Sequence, residues 1–280
     1  MIPLRNYIKL MQYRIVALLV LSAIAGFAIG YHGSVILQDL FLVIFSITAA
    51  GSGAELLNKI LEKDIDRKMK RTRNRASVRG GINLHHGLAY GIMLCSAGIA
   101  FGYAVNYLTA LLVFLGIVFY VIVYTLLLKR RSRFSVVIGG LAGSFCVWAG
   151  VAAAAGTVTI PGFILGFLVL FWIPGHIWSF ALKYKKDYLN AGVPMFTAVE
   201  SRRRGTQAIA LFNILMAAAS LSLVWFLSWY YAAIIALPLA LALYFSFSTL
   251  MNSSNAWTLF KFSSVYLTFV FIGVIVAQIA

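Results

Sequence analysis

Nine apolar runs of membrane-crossing length constrain this chain more than any other feature. They centre on 15–31, 36–56, 86–105, 107–128, 134–155, 161–182, 207–227, 230–250 and 260–279. About 20 apolar residues in helical form cross the ~30 Å hydrocarbon layer. In lipid, only helices and closed barrels satisfy their own backbone polar groups. Hydrophobic residues are 62% of the 280 and charged residues 11%, whereas a soluble domain carries roughly a quarter charged. The expected fold is an all-α integral membrane bundle of nine transmembrane helices, one domain over 1–280.

Charge placement sets the orientation. Three Lys and Arg precede the first run, nine lie between Lys59 and Arg79, four between Lys129 and Arg133, and six between Lys183 and Arg204. Only one of the 23 lies elsewhere, and all these segments fall on one side if nine helices alternate. The positive-inside rule then places the N-terminus and the loops 58–84, 129–133 and 183–206 in the cytoplasm. The net charge of +16 reads as topology and attraction to anionic lipid, without nucleic acid. Met1–Arg14 carries three cations but no cleavage site, so a short interfacial helix is expected there. Cys95 and Cys146 fall inside apolar runs and read as packing residues. His32, His85 and His86 stand at the ends of runs, where an interface role is expected.

Acid is the scarce resource. The chain has seven Asp and Glu, and four of them, Glu55, Glu62, Asp64 and Asp66, fall within twelve positions. If the second helix continues to residue 66 at about 100° per residue, Glu55, Asn58, Glu62 and Asp66 share one arc and Asp64 points away. Carboxylates at a helix end beside lipid are costly to place. Hard oxygen donors at i, i+4 and i+8 suit Mg²⁺, which shares its shell with water and phosphate. The run Arg67–Arg75 follows directly, and its guanidinium forks suit the remaining oxygens of a diphosphate. Asp64 is expected to pair with a loop Arg or Lys. A plain solvated loop, its acids paired with its own cations, is the alternative reading.

A second constellation ends the sixth run. Pro174-Gly175 should kink the helix or open its backbone bonding. On a helical wheel His176, Phe180, Lys183, Asp187 and Asn190 share one side, running from an aromatic region to a charged end. Such a face could hold an apolar ligand above a metal-bound phosphate.

These residues carry a resemblance. Asn58-x3-Glu62-x3-Asp66 resembles the first acidic motif of the UbiA-type intramembrane prenyltransferases. Asp64–Arg75, Tyr124-Thr125 with Lys129-Arg130, Gly139-Gly140 with Gly143, Trp172-x-Pro174-x-His176-x-Trp178, and Lys186-Asp187-Tyr188 with Pro194-Met195 are similar to the protoheme IX farnesyltransferase (heme O synthase) branch. The resemblance covers about residues 10–280 and implies a nine-helix bundle around a central cavity. It implies Mg²⁺ between two acidic loops, holding farnesyl diphosphate, and farnesyl transfer to a vinyl group of heme B. By position, Asn58, Glu62, Asp66 and Asp187 become catalytic metal ligands. Arg71, Arg73, Arg75, Lys183 and Lys186 become diphosphate ligands, and His176, Trp178, Tyr184 and Tyr188 acceptor contacts. The resemblance further implies a plasma-membrane enzyme with its site facing the cytoplasm, and leaves open contact with heme A synthase or a terminal oxidase assembly.

The sequence departs from the family pattern in places. Lys183 and Asp187 stand where the superfamily often has two Asp, Ala76–Gly80 where Pro-Leu-Pro-Ser-Gly is usual, and Cys146-Val147 where Pro-Pro is common. Gly175 replaces the Pro before His176. Alternatives are a UbiA-type enzyme using a quinone precursor, chlorophyllide or lipid alcohol, and a porphyrin or lipid transporter.

Overall fold

The computed structural model describes residues 4–31, 33 and 37–279, so Met1–Pro3 and His32 lie outside the described residues. Among the described residues there is no strand, and nine helices are long and apolar enough to cross a membrane. A short helix α1 (Leu4–Leu10) precedes the first long one, α2 (Tyr13–Gly30), in the place expected for an interfacial helix. Then come α3 (Leu37–Leu61), the short α4 (Lys63–Lys68) and α5 (Leu84–Val105). The next, α6 (Tyr107–Ile117), passes into wide π-helical turns over Val118–Leu128. After α7 (Ser135–Gly139) and α8 (Leu141–Ala155) the chain forms α9 (Ile160–Lys183), α10 (Lys185–Asn190) and α11 (Phe196–Val199). It ends with α12 (Arg202–Ser222), α13 (Trp229–Met251) and α14 (Ala256–Ile279).

Side-chain caps fix where several helices begin. Asn83, Asn106, Thr159 and Ser201 each accept a backbone N–H from the first turn of α5, α6, α9 and α12. Asn106 also donates to the carbonyl of Ala152 and so ties the turn between α5 and α6 to α8.

Close approach of small residues holds the bundle together. Between α2 and α8, a Cβ built on Gly150 would stand 2.0 Å from the carbonyl oxygen of Ala23. One on Gly26 would stand 2.2 Å from that of Val147, so only hydrogen fits at either crossing. Backbones this near each other gain dispersion contact that bulkier residues in lipid cannot supply.

Two apolar clusters matter for the site. The larger fills the bundle interior and includes Val147, Leu165, Trp172, Tyr231 and Phe271. The smaller sits at the basic end, where Ile65 and Met69 of the first charged segment pack with Trp178, Tyr188 and Met195 of the second. That cluster brings the two segments together although more than a hundred residues of chain separate them.

Two expectations about helix continuity need correction. The helix of Asn58 does not run straight to Asp66: it turns at Glu62, whose φ and ψ are −98° and 12°. The N–H of Glu62 still bonds the Asn58 carbonyl and that of Asp66 bonds the Glu62 carbonyl, so the three stay on one side. The turn sends Glu62 and Asp64 to different cations at the end of the next-but-one helix. Likewise α9 stops at Lys183 and Tyr184 breaks the register, so Asp187 and Asn190 belong to a separate helix from His176 and Phe180. Pro174 is carried within a continuous α9.

Candidate active site

Each acid of the first segment is met by a cation, and all but Asp64 are buried. Asn58 is 1% exposed, and Glu62 and Asp66 are 2% exposed. Lys129 donates to Glu62 Oε1 at 2.5 Å. Arg75 Nη1 donates to both Asp66 oxygens at 2.7 Å. Asp64, on the other face, takes both guanidinium nitrogens of Arg130 at 2.6 and 2.8 Å, the loop pairing its position called for.

These pairings set the charge states. Burial alone pushes the Glu62 carboxyl up, but the charges of Lys129 and Lys59 and the bond from Lys129 outweigh it and hold it below its ordinary value. For Lys129, burial pushes down and the Glu62 charge more than restores it, so the ammonium is held well above its ordinary value. The bond from Arg130 holds Asp64 below the usual range. Burial pushes the Tyr188 phenol up.

Beneath the first network lies a second. Glu55 accepts from Gln12 at 2.8 Å and from the Tyr120 hydroxyl at 2.6 Å, and pairs with Lys59 at 3.1 Å. Lys59 donates to Asn58 Oδ1 at 2.6 Å, while the Asn58 amide donates to Thr125 Oγ1 at 2.9 Å. Thr125 in turn donates to the Tyr120 carbonyl. Asn58 is thus occupied with holding Lys59 and Thr125.

A cavity of about 80 Å³ opens among Lys59, Glu62, Asp66, Arg71, Arg75 and Lys129, with Tyr188 on its wall. Of the residues singled out in the sequence, it gathers Glu62, Asp66, Arg71, Arg75 and Tyr188. Asp187 is buried beside it and accepts the backbone N–H groups of Lys70 at 3.3 Å and Arg71 at 3.4 Å. It thereby ties the second charged segment to the first. Arg73, Lys183 and Lys186 are exposed and do not line the cavity, and Lys183 lies over the Trp257 ring at 5.8 Å. Lys59 and Tyr120 are the additions that sequence reasoning did not single out, and Thr125 and Lys129 gain a place at the site where the sequence offers them only as motif positions. For Lys59, its place four residues after Glu55 was the available signal.

Could this donor set take a divalent metal? Among the described residues no three His, Cys, Asp or Glu side chains form a metal cage. Glu62 and Asp66 share the cavity wall as two hard carboxylates. That set fits Mg²⁺, which is usually held by one or two carboxylates and completes its octahedron with phosphate and water.

An aromatic wall rises from the cavity into the bundle. Arg71 lies over Phe180 at 4.9 Å and over Tyr184 at 5.8 Å. Phe180 packs on Phe260 at 5.0 Å, Phe260 stacks on His176 at 4.3 Å, and His176 stacks on Trp172 at 4.4 Å. Nδ1 of His176 is 2.8 Å from the Ser263 hydroxyl. Trp178 is not part of this wall. Two positions past His176, it faces the other side of α9, stacked on Phe196 at 4.9 Å.

Known proteins resemble this chain in sequence and in fold. The UbiA prenyltransferase family matches residues 19–269. A protein of Sulfurisphaera tokodaii named protoheme IX farnesyltransferase is 36% identical over 98% of this chain and 93% of its own length. One of Sulfolobus acidocaldarius with the same name is 37% identical over 98% and 96%. Among solved structures, a UbiA homolog from Archaeoglobus fulgidus bound to DMAPP and Mg²⁺ superposes with a TM-score of 0.74 at 17% identity, covering 97% of this chain and 99% of that one. From its sequence match, its helical bundle and its full-length relatives, the chain belongs to the UbiA prenyltransferase family, among the protoheme IX farnesyltransferases.

Proposed function

We propose that this protein transfers a farnesyl group from farnesyl diphosphate to a vinyl group of heme B, giving heme O. The observation that carries the reading is the joint between the acid-and-cation cavity and the aromatic wall, made where Arg71 lies on Phe180 and Tyr184. A diphosphate placed in the cavity has an apolar surface leading away from it for its prenyl chain. The names of the full-length relatives support farnesyl diphosphate and heme as the substrates.

In this reading Glu62 and Asp66 hold Mg²⁺, and bound Mg²⁺ supplies Lewis-acid charge to the diphosphate oxygens. Arg71, Arg75, Lys59 and Lys129 line the same space and neutralise the leaving group as the allylic C–O bond breaks. Arg75 and Lys129 sit on the two carboxylates and would turn their charges to the substrate if those carboxylates held metal. The ring faces of Phe180, Tyr184, Phe260 and His176 exclude water from the farnesyl cation. The heme vinyl group supplies the electron pair for the new C–C bond. Water captures the resulting porphyrin-stabilised cation, and a proton leaves to solvent. Asp187 and Asn58 act as positioning residues, the first for the Lys70–Arg71 backbone and the second for Lys59.

The basic end faces the cytoplasm by the positive-inside rule, and the plasma membrane is the proposed location. The test is the mass of the product formed from heme B, farnesyl diphosphate and Mg²⁺ by purified protein. The expected product is hydroxyethylfarnesyl heme, lost on chelation and regained with Mg²⁺. Unchanged heme with intact farnesyl diphosphate would refute the reading.

A further inference from the structure

A second, larger basin of about 490 Å³ lies beside the cavity, between α1, the end of α3 and the first charged loop. Lys9, Lys59, Arg75 and Arg79 line it, and no Asp or Glu does. Lys59 and Arg75 also line the cavity described above, so the two spaces share a wall. The amides of Asn6 and Asn74 hold this shape: Asn6 donates to the Gly81 carbonyl, and Asn74 accepts from Arg79 at 2.7 Å. Gln12, the one described non-glycine residue with positive φ (48°), anchors α1 and α2 here through its bond to Glu55.

The charge count points to the occupant. Lys59 is already balanced by Glu55, and Arg75 by Asp66. Among the described residues, Lys9 and Arg79 have no carboxylate partner. The basin therefore presents two uncompensated positive charges on different elements, next to the place where the reactive diphosphate belongs. Two uncompensated cations on different elements match an organic anion that bears two carboxylates.

We propose that this basin docks the two propionates of the heme acceptor, with Lys9 and Arg79 as its carboxylate ligands. The inference rests on the farnesyl transfer reading and adds to it where the acceptor's charged edge is held. Anchored there, the porphyrin extends across the shared wall of Lys59 and Arg75, with its vinyl edge directed to the prenyl site.

The test uses the full chain in nanodiscs of neutral lipid, without farnesyl diphosphate, titrated with heme B and with its dimethyl ester and followed by Soret absorbance. Wild type is expected to prefer the diacid by about tenfold or more, a loss in keeping with charge-assisted hydrogen bonds. The double variant Lys9→Gln/Arg79→Gln should bind both compounds with equal, weaker affinity while its KM for farnesyl diphosphate stays unchanged. Arg79→Lys should keep most of the preference. A double variant that still prefers the diacid as wild type does would overturn the proposal. So would a heme affinity that falls only when phosphatidylglycerol is added, because the basin would then be a lipid headgroup site. Wild type that shows the preference but forms no farnesylated product would refute the transfer reading and leave the docking site standing.

Discussion

Replacing Lys129 by Met tests whether the charge pairing under the cavity is as tight as it is drawn. Glu62 and Lys129 expose 3% and 12% of their side chains, so the variant strands a carboxylate in a nearly dry place. Removing one partner of a buried ion pair costs about 3–5 kcal/mol, and because Lys59 still faces Glu62 the lower end is expected. Arg130→Met is the control. Arg130 and Asp64 are 41% and 57% exposed, and exposed pairs contribute about 0–1 kcal/mol.

The pH dependence gives the sign. In wild type the Glu62 carboxyl is held below its ordinary value, so its stabilisation is present above 4.5 and lost as pH falls through the folded value. Without Lys129, burial dominates and raises that value, so the folded form takes up a proton. The penalty of Lys129→Met is therefore largest at neutral pH and shrinks as pH falls toward 4.5. Denaturant unfolding in micelles with EDTA, followed by circular dichroism at pH 7 and 5, reads this out. Two results would refute the reasoning. One is Lys129→Met matching Arg130→Met at pH 7, and the other is no recovery in Glu62→Gln/Lys129→Met.

Three further changes probe other links. Asp66→Ala should lower farnesyl transfer by at least about a hundredfold, the scale of losing a key electrostatic group, while the far-ultraviolet spectrum stays native. Phe180→Ala removes the ring under Arg71; a cation–π contact of about 0.5–2 kcal/mol predicts a rise in KM for farnesyl diphosphate of several-fold, and the lost water shield should divert part of the turnover to farnesol. Gly150→Ala forces a Cβ to within 2.0 Å of the Ala23 carbonyl, so α2 and α8 must separate. Overpacking of this kind costs about 1–3 kcal/mol or more and should show as a lowered Tm with wild-type substrate KM in the surviving folded fraction.

The spans were legible because hydropathy is a one-dimensional signal that lipid reads directly. The expected runs 107–128 and 134–155 meet helices ending at Leu128 and Ala155. The acid face was legible too, since spacing at i, i+4 and i+8 survives the turn at Glu62 through its two retained backbone bonds. What periodicity could not carry was the second constellation as one continuous face. Its register assumed a helix through Asn190, and Tyr184 interrupts it. Trp178 was grouped with His176 by motif, whereas at 100° per residue two positions put them about 160° apart, which is the arrangement observed. Arg73, Lys183 and Lys186 show the same weakness in charge runs, where composition marks a basic segment without saying which cations turn inward.

Lys129, quoted in the motif, receives no site role from the sequence for a more specific reason. An α-helical wheel at about 100° per residue sets Lys129 roughly 180° from Tyr120, so no amphipathic pattern links them. In the structure Val118–Leu128 is wound in π turns, and bonds span five residues: the Lys129 N–H reaches the Tyr124 carbonyl at 2.8 Å, and the Thr125 hydroxyl reaches that of Tyr120. Wider turns rotate each residue less, so Tyr120, Thr125 and Lys129 come round to the same side. There they meet Glu55, Asn58 and Glu62 in order along α3 and the turn beyond it. Such turns are rare and gather at functional sites. Here they align three polar partners with three polar residues on the facing helix, a match that neither helix shows when read alone.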